Sequence, residues 1–380
     1  MALIAVVVGS FLNAQGLRKI AYTQPEGWRR DVGMAFTAPL VEIAELLRLD
    51  QPRAGLKSLI GREDDDVIVT SIELPPATAG GIVAEGGGEP GATAGAATDD
   101  GTGTDDAAQP QPKPVFTPQR PMRLWIAGDS LSIVPGEALL RLVGPDGPVE
   151  PIAEVEGRLA TGLERPDRYD WFARIRKEMA RRDPDAVVLT FGANDFGGYM
   201  TGLPEGVPKT AFGTPTWMQE YRRRVGGVMD LVTGGSERRF LVWIGVPIVN
   251  DEGRNDRYKT LNAIVRAEAE RRPGRVAFVD TYRMFRSKGG GFVQRMKDAD
   301  GKLVEVRSPD GLHFEPAGGD RVAAVVLRRI EEVYELRAGG PPADTGATDR
   351  GGSPGATDDG SDADADATRV SGESRPRSSP

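Results

Sequence analysis

The sequence predicts an α/β domain over residues 121–337, built on a parallel sheet that helices cover on both faces. In this range short apolar segments alternate with longer amphipathic ones, as strands and helices do around a parallel sheet. Its length suits one domain with a single core. Residues 77–120 and 338–380 carry few large apolar side chains and are predicted to lie outside that core.

Each element of the domain has its own local signal. Four apolar segments are predicted to be buried strands: RLWIAG (123–128), DAVVLTFG (185–192), RFLVWIGVP (239–247) and RVAFVD (275–280). Four segments with helical spacing are predicted to be helices, 169–182, 221–234, 258–272 and 317–337, and 131–143 is predicted to be a loop that enters a fifth helix. Trp125, Trp171 and Trp243 lie in these patterns and are interpreted as core residues.

Two further segments separate these elements. GFVQRMKDADGKLVEVR (291–307) is predicted to be a hairpin that turns at Asp300-Gly301. Its DADG stretch lacks the rest of a calcium-binding loop, so the turn interpretation is preferred. The long loop 197–218 contains Tyr199, Phe212 and Trp217, for which substrate contact and simple capping are both open.

The segment 77–120 is predicted to be a disordered linker, and 338–380 a disordered acidic tail. Neither can bury enough apolar surface to offset the entropy of ordering it. Together they carry the whole formal net charge of −8, so the rest of the chain is balanced. Because no strongly basic surface is indicated, nucleic acid is not an expected partner. The tail is interpreted as solubilising.

Residues 1–15 form an apolar segment, and residues 16–76 are predicted to be a helical membrane-proximal region. The apolar run is shorter than the about 20 residues of a membrane span, and it lacks the basic start of a signal peptide. It is either a buried helix or the second half of a signal anchor that begins upstream of Met1. We expect the anchor, a membrane tether and an extracytoplasmic location. Helical patterns cover 31–50, where Pro39 interrupts or starts a turn, and 52–61.

Composition excludes several kinds of site. The chain has no cysteine, which rules out thiol nucleophiles and cysteine-ligated zinc. It has a single histidine, His313, so zinc hydrolases that need two or three histidines are ruled out as well. No cofactor is predicted.

Polar residues follow the predicted strands and precede the last helix. They form three segments: Gly128-Asp129-Ser130-Leu131, Gly192-Ala193-Asn194-Asp195 and Asp310-Gly311-Leu312-His313. In sheets of this kind the carboxyl ends of the strands form the site. A serine hydroxyl needs a base such as imidazole to remove its proton, and the base needs a carboxylate to orient it. An amide such as that of Asn194 can stabilise an oxyanion.

These segments, GDSL, GAND and DGLH, resemble conserved blocks of the SGNH (GDSL-type) hydrolase superfamily, in the same order. The resemblance covers 121–337 and implies a three-layer, flavodoxin-like fold. The stretch TGLERPDRYDW, together with the N-terminal region and linker, resembles a bacterial, actinobacterial and membrane-tethered branch of that superfamily.

Carried over by position, the resemblance implies Ser130 as nucleophile, His313 as base and Asp310 as the residue that orients His313. The oxyanion donors would be Ser130, Asn194 and a glycine, for which Gly157 and Gly162 are candidates and Gly162 is chosen. Four residues are expected to support the motifs: Gly128, Asp129, Gly192 and Asp195. Asp129 is expected to structure the turn, while Asp195 is either a supporting carboxylate or a helix N-cap.

The resulting expectation is a serine esterase that hydrolyses an O-acyl ester, with acetyl as the expected acyl group, through an acyl-enzyme on Ser130. The substrate would be an acylated carbohydrate or cell-envelope polymer. Two alternatives stay open: an O-acyltransferase that uses the same triad, and a non-catalytic envelope-binding module. The intact set of four polar residues argues against the binding module.

Overall fold

The computed structural model describes residues 2–24, 27–49, 51, 71–75, 112–207 and 210–338. All of these lie in one compact unit, Met1–Gly339. The predicted linker over most of its length, the acidic tail from residue 339 and the helical pattern at 52–61 fall outside the described residues.

The central sheet is parallel, and its three longest strands are apolar and buried along almost their whole length. The strands are β2 (Met122–Gly128), β3 (Val149–Pro151), β4 (Glu156–Gly157), β5 (Ala186–Thr190), β6 (Phe240–Ile244) and β7 (Val276–Val279). Their order is β3-β2-β5-β6-β7, and β4 also pairs with β2. This is the flavodoxin-like order, in which the chain reverses direction across the sheet between β2 and β5. The predicted fold class is confirmed.

Helices cover both faces of this sheet. The helices of the domain are α4 (Ile133–Val143), α5 (Trp171–Arg182), α6 (Pro215–Thr233), α7 (Glu252–Glu270), the short α8 (Thr281–Met284) and α9 (Pro316–Val333). α4 packs on α9, while α6 packs on both α5 and α7. Side-chain caps set several starts: Asp170, Thr214 and Asp251 each accept a backbone N–H of the first turn.

The core confirms the predicted role of the tryptophans. Trp125, Trp171 and Trp243 are each exposed by 1% or less. Phe191 lies between Trp171 and Trp243, with ring centroids 5.0 Å and 5.6 Å away in edge-on geometry. These aromatic contacts join the sheet to α5.

The domain begins earlier than predicted. Strand β1 (Val115–Phe116), inside the range taken as linker, pairs in parallel with β10 (Glu335–Leu336). Phe116 is 7% exposed and packs edge-on against Tyr334. The prediction that residues 112–120 belong to a disordered linker is therefore wrong, because this segment supplies a buried ring and strand pairing to the core.

The predicted hairpin is present as β8 (Arg295–Lys297) and β9 (Leu303–Glu305), which pair antiparallel. Gly301 adopts φ 80°, a left-handed conformation that suits glycine in the turn. The Asp298 carboxylate accepts backbone N–H bonds from Asp300 and Lys302, which closes the turn. The hairpin interpretation is confirmed.

The N-terminal region contains three helices: α1 (Ala2–Leu12), α2 (Ala14–Tyr22) and α3 (Trp28–Leu46). α3 runs through Pro39, so the predicted interruption there is wrong. Ile72 and Leu74, at the end of the predicted helical region, are not helical and pack on the main core. Among the helices of the described residues, none is long and apolar enough to cross a membrane.

Candidate active site

The structure brings Ser130, His313 and Asp310 into one hydrogen-bonded chain. Ser130 lies in a 3-10 turn directly after β2, and His313 lies in the loop before α9. The Ser130 Oγ is 2.9 Å from the His313 Nε2, and the His313 Nδ1 is 2.5 Å from the Asp310 Oδ2. The arrangement therefore has the connectivity of a nucleophile, a base and an orienting carboxylate.

Asp310 serves both the histidine ring and its loop. Its Oδ1 accepts the backbone N–H of Leu312 at 2.8 Å and that of His313 at 3.0 Å. Partial desolvation alone would raise the pKa of Asp310, but the bonds from the His313 side chain and these N–H groups lower it to about 2. The carboxylate is thus an acceptor at neutral pH. Accordingly, Nδ1 of a neutral His313 donates to it, and Nε2 can accept the Ser130 proton.

Asp129 connects the serine turn to the loop after β5. Its fully buried carboxylate accepts the N–H of Leu131 at 2.9 Å and that of Ala193 at 3.0 Å. Desolvation raises the pKa of Asp129 to about 7, against the lowering effect of these bonds. Beside it, Gly128 has φ 147°, and a Cβ there would lie 2.1 Å from the Thr190 carbonyl oxygen. The turn therefore depends on Gly128 for space and on Asp129 for its hydrogen bonds.

Asn194 lies beside the peptide of Gly162. The half-buried Asn194 donates its Nδ2 to the Thr161 carbonyl at 2.9 Å, so the Thr161–Gly162 peptide lies beside it. A Cβ on Gly162 would lie 2.0 Å from the Asp195 Oδ1, which explains glycine at this position. Within the described part of the chain, neither Ser130 nor Gly162 donates its backbone N–H to a protein acceptor. Gly157 instead lies in β4 against Ile133.

Asp195 supports the Gly162 loop and caps no helix. Its buried carboxylate accepts the N–H of Leu163 at 3.0 Å, that of Glu164 at 2.9 Å and the Tyr221 hydroxyl at 2.8 Å. Burial raises the pKa of Asp195. The N-cap alternative is wrong because the next helix, α6, begins at Pro215.

Sequence reasoning missed Glu164 and Tyr221. The side chain of Glu164 is buried and accepts the N–H of Gly197 at 2.9 Å and the Trp217 indole N–H at 3.1 Å. Burial, followed by the charge of Asp195, raises the pKa of Glu164. A single acid in a polar stretch carries no local sign of this role. The only sign of a role for Glu164 in the sequence is its position in the stretch TGLERPDRYDW, which resembles a branch of the superfamily.

The structure places the three aromatic residues of the loop 197–218, for which substrate contact and capping were both open. Trp217 is fully buried and stacks on Tyr221, so it caps the core and is not a substrate contact. Phe212 packs against Trp217 with centroids 4.5 Å apart. Tyr199 stacks on Arg165.

Asn250 lies next to the loop that carries Asp310 and His313. The Asn250 N–H donates to the Gly311 carbonyl at 3.4 Å. Within the described ranges, no group of three or more His, Asp or Glu side chains has the arrangement of a metal site.

In a search of solved structures, 54 chains match this protein. The lipase/acylhydrolase from Enterococcus faecalis is 22% identical over 56% of this chain and 96% of its own, with a TM-score of 0.38. The M. smegmatis aryl esterase is 14% identical over 56% and 99%, with a TM-score of 0.39. The Clostridium thermocellum family 3 carbohydrate esterase is 14% identical over 56% and 96%, with a TM-score of 0.36.

A search of curated proteins found no match. Residues 123–329 match the family described as "Protein of unknown function (DUF459)". As this match spans more than half of the chain, the protein belongs to the DUF459 family.

Proposed function

We propose that the protein is a serine hydrolase of carboxylic esters. The observation that carries the proposal is the chain of hydrogen bonds from Ser130 through His313 to Asp310, with distances of 2.9 Å and 2.5 Å. A hydroxyl bonded to an imidazole, itself bonded to an ionised carboxylate, is the arrangement that activates serine for acyl transfer.

In the proposed reaction, His313 Nε2 takes the proton of the Ser130 hydroxyl as Oγ attacks the acyl carbon. The oxyanion receives hydrogen bonds from the N–H groups of Ser130 and Gly162 and from the Asn194 amide. When the ester bond breaks, the alcohol leaves with the proton from His313. Water then attacks the acyl-serine, with His313 as base, and releases the carboxylic acid and free Ser130.

We further propose an O-acyl substrate, acetyl in the simplest case, carried by a carbohydrate or a cell-envelope polymer. The exposure of the site supports a group presented on a large molecule: the side chains of His313 and Asp310 are 37% and 47% exposed. Ser130 is the one partly exposed residue of its 3-10 turn, whose other two residues, Leu131 and Ser132, are buried.

An extracytoplasmic location with an N-terminal membrane tether remains part of the proposal. The apolar helix α1, in which Ile4 and Val6 are 63% and 66% exposed, supports it, as does a chain without cysteine. Fractionation of cells, with protease added to intact spheroplasts, tests the location. Protection of the full chain from external protease would contradict it.

The test of the activity compares the full chain with Ser130→Ala, using p-nitrophenyl acetate, longer acyl esters and an O-acetylated polysaccharide. Ser132→Ala is the matched control, because its hydroxyl donates to the Asp129 carbonyl in the same turn and does not face the imidazole. We expect turnover in the wild type and in S132A and none in S130A. Mass spectrometry of quenched reactions should find the acyl group on Ser130.

Equal turnover by S130A would overturn the proposal. Folded wild-type protein that turns over none of these esters would also count against it. Parallel reactions with a sugar acceptor measure transfer, since an acceptor-bound product would replace free carboxylic acid.

A further inference from the structure

A buried arginine lies directly behind the segment Asp310–His313, here called the catalytic loop. Arg307 follows β9, and its side chain is 0% exposed. Its guanidinium donates to the backbone carbonyls of Leu312 at 2.6 Å, His313 at 3.2 Å and Gly311 at 3.4 Å. A further bond, 2.5 Å long, runs to the Ile248 carbonyl beyond β6. One side chain thus joins the loop that carries His313 to the segment that follows β6.

Three aromatic rings pack around the guanidinium of Arg307. The rings of Phe285, Phe292 and Phe314 lie 5.7, 5.2 and 5.2 Å from its guanidinium carbon. Among the described residues, no carboxylate forms a salt bridge with it. Burial lowers the pKa of Arg307 to about 10, so the group is still a cation at neutral pH.

Keeping a cation in such a place is unfavourable unless its N–H groups are bonded. Here the acceptors are four backbone carbonyls. Three of them, those of Gly311, Leu312 and His313, are consecutive in the catalytic loop. A guanidinium presents several donors in a rigid plane, which suits it to fixing several acceptors at once. An ammonium group would keep the charge but could not reproduce that planar set of bonds.

We propose that Arg307 is a positioning residue, which holds the Gly311–His313 backbone so that the His313 imidazole stays in line between Asp310 and Ser130. Its kinetic consequence rests on the proposed hydrolase function. Its geometric consequence, an ordered His313 imidazole, does not depend on that function. The two can therefore be tested separately.

Arg239 provides a matched control at the opposite end of the sheet. It is 3% exposed, and it too donates to backbone carbonyls, those of Pro184 at 2.9 Å and Val232 at 2.8 Å, although it also forms a 2.5 Å salt bridge with Asp183. These carbonyls precede β5 and end α6, far along the strands from Ser130. Loss of Arg239 should destabilise the fold without disturbing His313.

The experiment compares the full-length wild type with Arg307→Lys, Arg307→Met and Arg239→Lys. Because His313 is the only histidine, selective ¹⁵N-histidine labelling gives NMR signals of this one imidazole. A proton in a short Nδ1–H···carboxylate bond resonates far downfield, and its signal reports the Asp310 contact directly. Ester hydrolysis and urea unfolding are measured on the same samples.

We expect the downfield signal to broaden or disappear in R307K and R307M and to persist in R239K. In R307K, kcat should fall by about 10²-fold, since a shift of about 1 Å in a catalytic group has that effect, with KM little changed. R239K should keep the wild-type kcat and lose only stability. Loss of the signal in a chain without esterase activity would support the positioning role while counting against the hydrolase.

A folded R307K with the wild-type signal and kcat would overturn the proposal. So would equal losses of signal and kcat in R239K, since the effect would then be general destabilisation. If neither Arg307 variant folds, Phe292→Leu decides by the same two readouts. Phe292 packs on the guanidinium but is only partly buried, so its replacement should weaken the downfield signal in a folded protein. An unaltered signal in F292L would then overturn the proposal.

Discussion

At the scale of single residues, two carboxylates of the motifs accept hydrogen bonds from backbone N–H groups. Asp129 and Asp195 each sit beside a proposed catalytic residue, and each accepts two backbone N–H groups. Each carboxylate thereby ties together loops that come from different strands. Their presence in the motifs is explained by the position of the loops.

The raised pKa of Asp129 predicts a specific pH dependence of stability. The folded state raises this pKa from 3.8 to about 7, so folded protein binds the proton more tightly than unfolded protein. The stabilising contribution of Asp129 is therefore fully present below about pH 4 and is lost as the pH rises through about 7. Asp129→Asn cannot ionise and should lack this loss.

Urea unfolding of wild type and D129N from about pH 4 to about pH 8 checks this. The difference in free energy of unfolding should shift in favour of D129N as pH rises. Asp300→Asn, in the exposed hairpin turn, is the control for removing a carboxylate outside the core. A difference between wild type and D129N that is constant with pH would contradict the prediction.

Removal of the Asn194 amide should lower the rate of the chemical step and leave substrate binding unchanged. Asn194→Ala should lower kcat by about 10²–10³-fold, because a side-chain donor aimed at the oxyanion acts mainly in the transition state. KM should change little. Steady-state kinetics on the same ester tests this, with circular dichroism to verify folding. An unchanged kcat would remove Asn194 from the proposed oxyanion hole.

At the scale of elements, the loop that carries Gly162 is held from three sides. Asp195 accepts two of its N–H groups, and the buried Arg224 donates to the Leu163 carbonyl at 2.7 Å and the Glu164 carbonyl at 3.2 Å. Glu164 extends the support to Gly197 and Trp217. This loop has no regular secondary structure of its own, so these side chains determine its conformation.

Two variants separate the parts of this support. Asp195→Ala leaves two buried N–H groups without an acceptor, at about 1–3 kcal/mol each, and frees the Gly162 peptide, so kcat should fall as well. Tyr221→Phe keeps both N–H bonds and removes only the hydroxyl, at about 1 kcal/mol, with kcat near that of the wild type. Urea unfolding and kinetics measure both effects. Equal losses of kcat in the two variants would contradict this division.

At the scale of the whole molecule, the described parts of the domain are joined near their ends. The β1–β10 pair brings residues 115–116 against residues 335–336, and Phe116 packs on Tyr334. The Tyr334 hydroxyl in turn donates to the Asp185 carbonyl at 2.9 Å, just before β5. The pair therefore ties both ends of the domain to the central sheet.

Adjacent residues of β1 test this closure. Phe116→Ala should reduce the free energy of unfolding by about 3–5 kcal/mol, as expected when a buried phenylalanine is truncated. Val115→Ala removes a side chain that is 36% exposed and should have much less effect. Thermal or urea unfolding of the full-length variants measures both. Similar values for the two would show that β1 is not part of the core.

The main strands and helices could be predicted because their signals are local. An apolar run such as 185–192 or 239–247 is long enough to identify itself, and helical spacing repeats within one segment. β3, β4, β1 and β10 could not, since each has only two or three residues and no periodicity. They are strands only because of their pairing partners: β3 and β4 lie alongside the longer β2, and β1 and β10 lie alongside each other.

By itself, the sequence determined the alternating α/β pattern, the absence of thiol chemistry and the kinds of side chain available for catalysis. These depend on composition and on spacing within a few residues. Only the tertiary structure decided that Ser130 and His313, 183 positions apart, lie within hydrogen-bond distance. It likewise decided that Asp195 supports a loop and that Arg307 lies behind the histidine. The reason is physical: such contacts form between distant segments, after the sheet has aligned the ends of its strands.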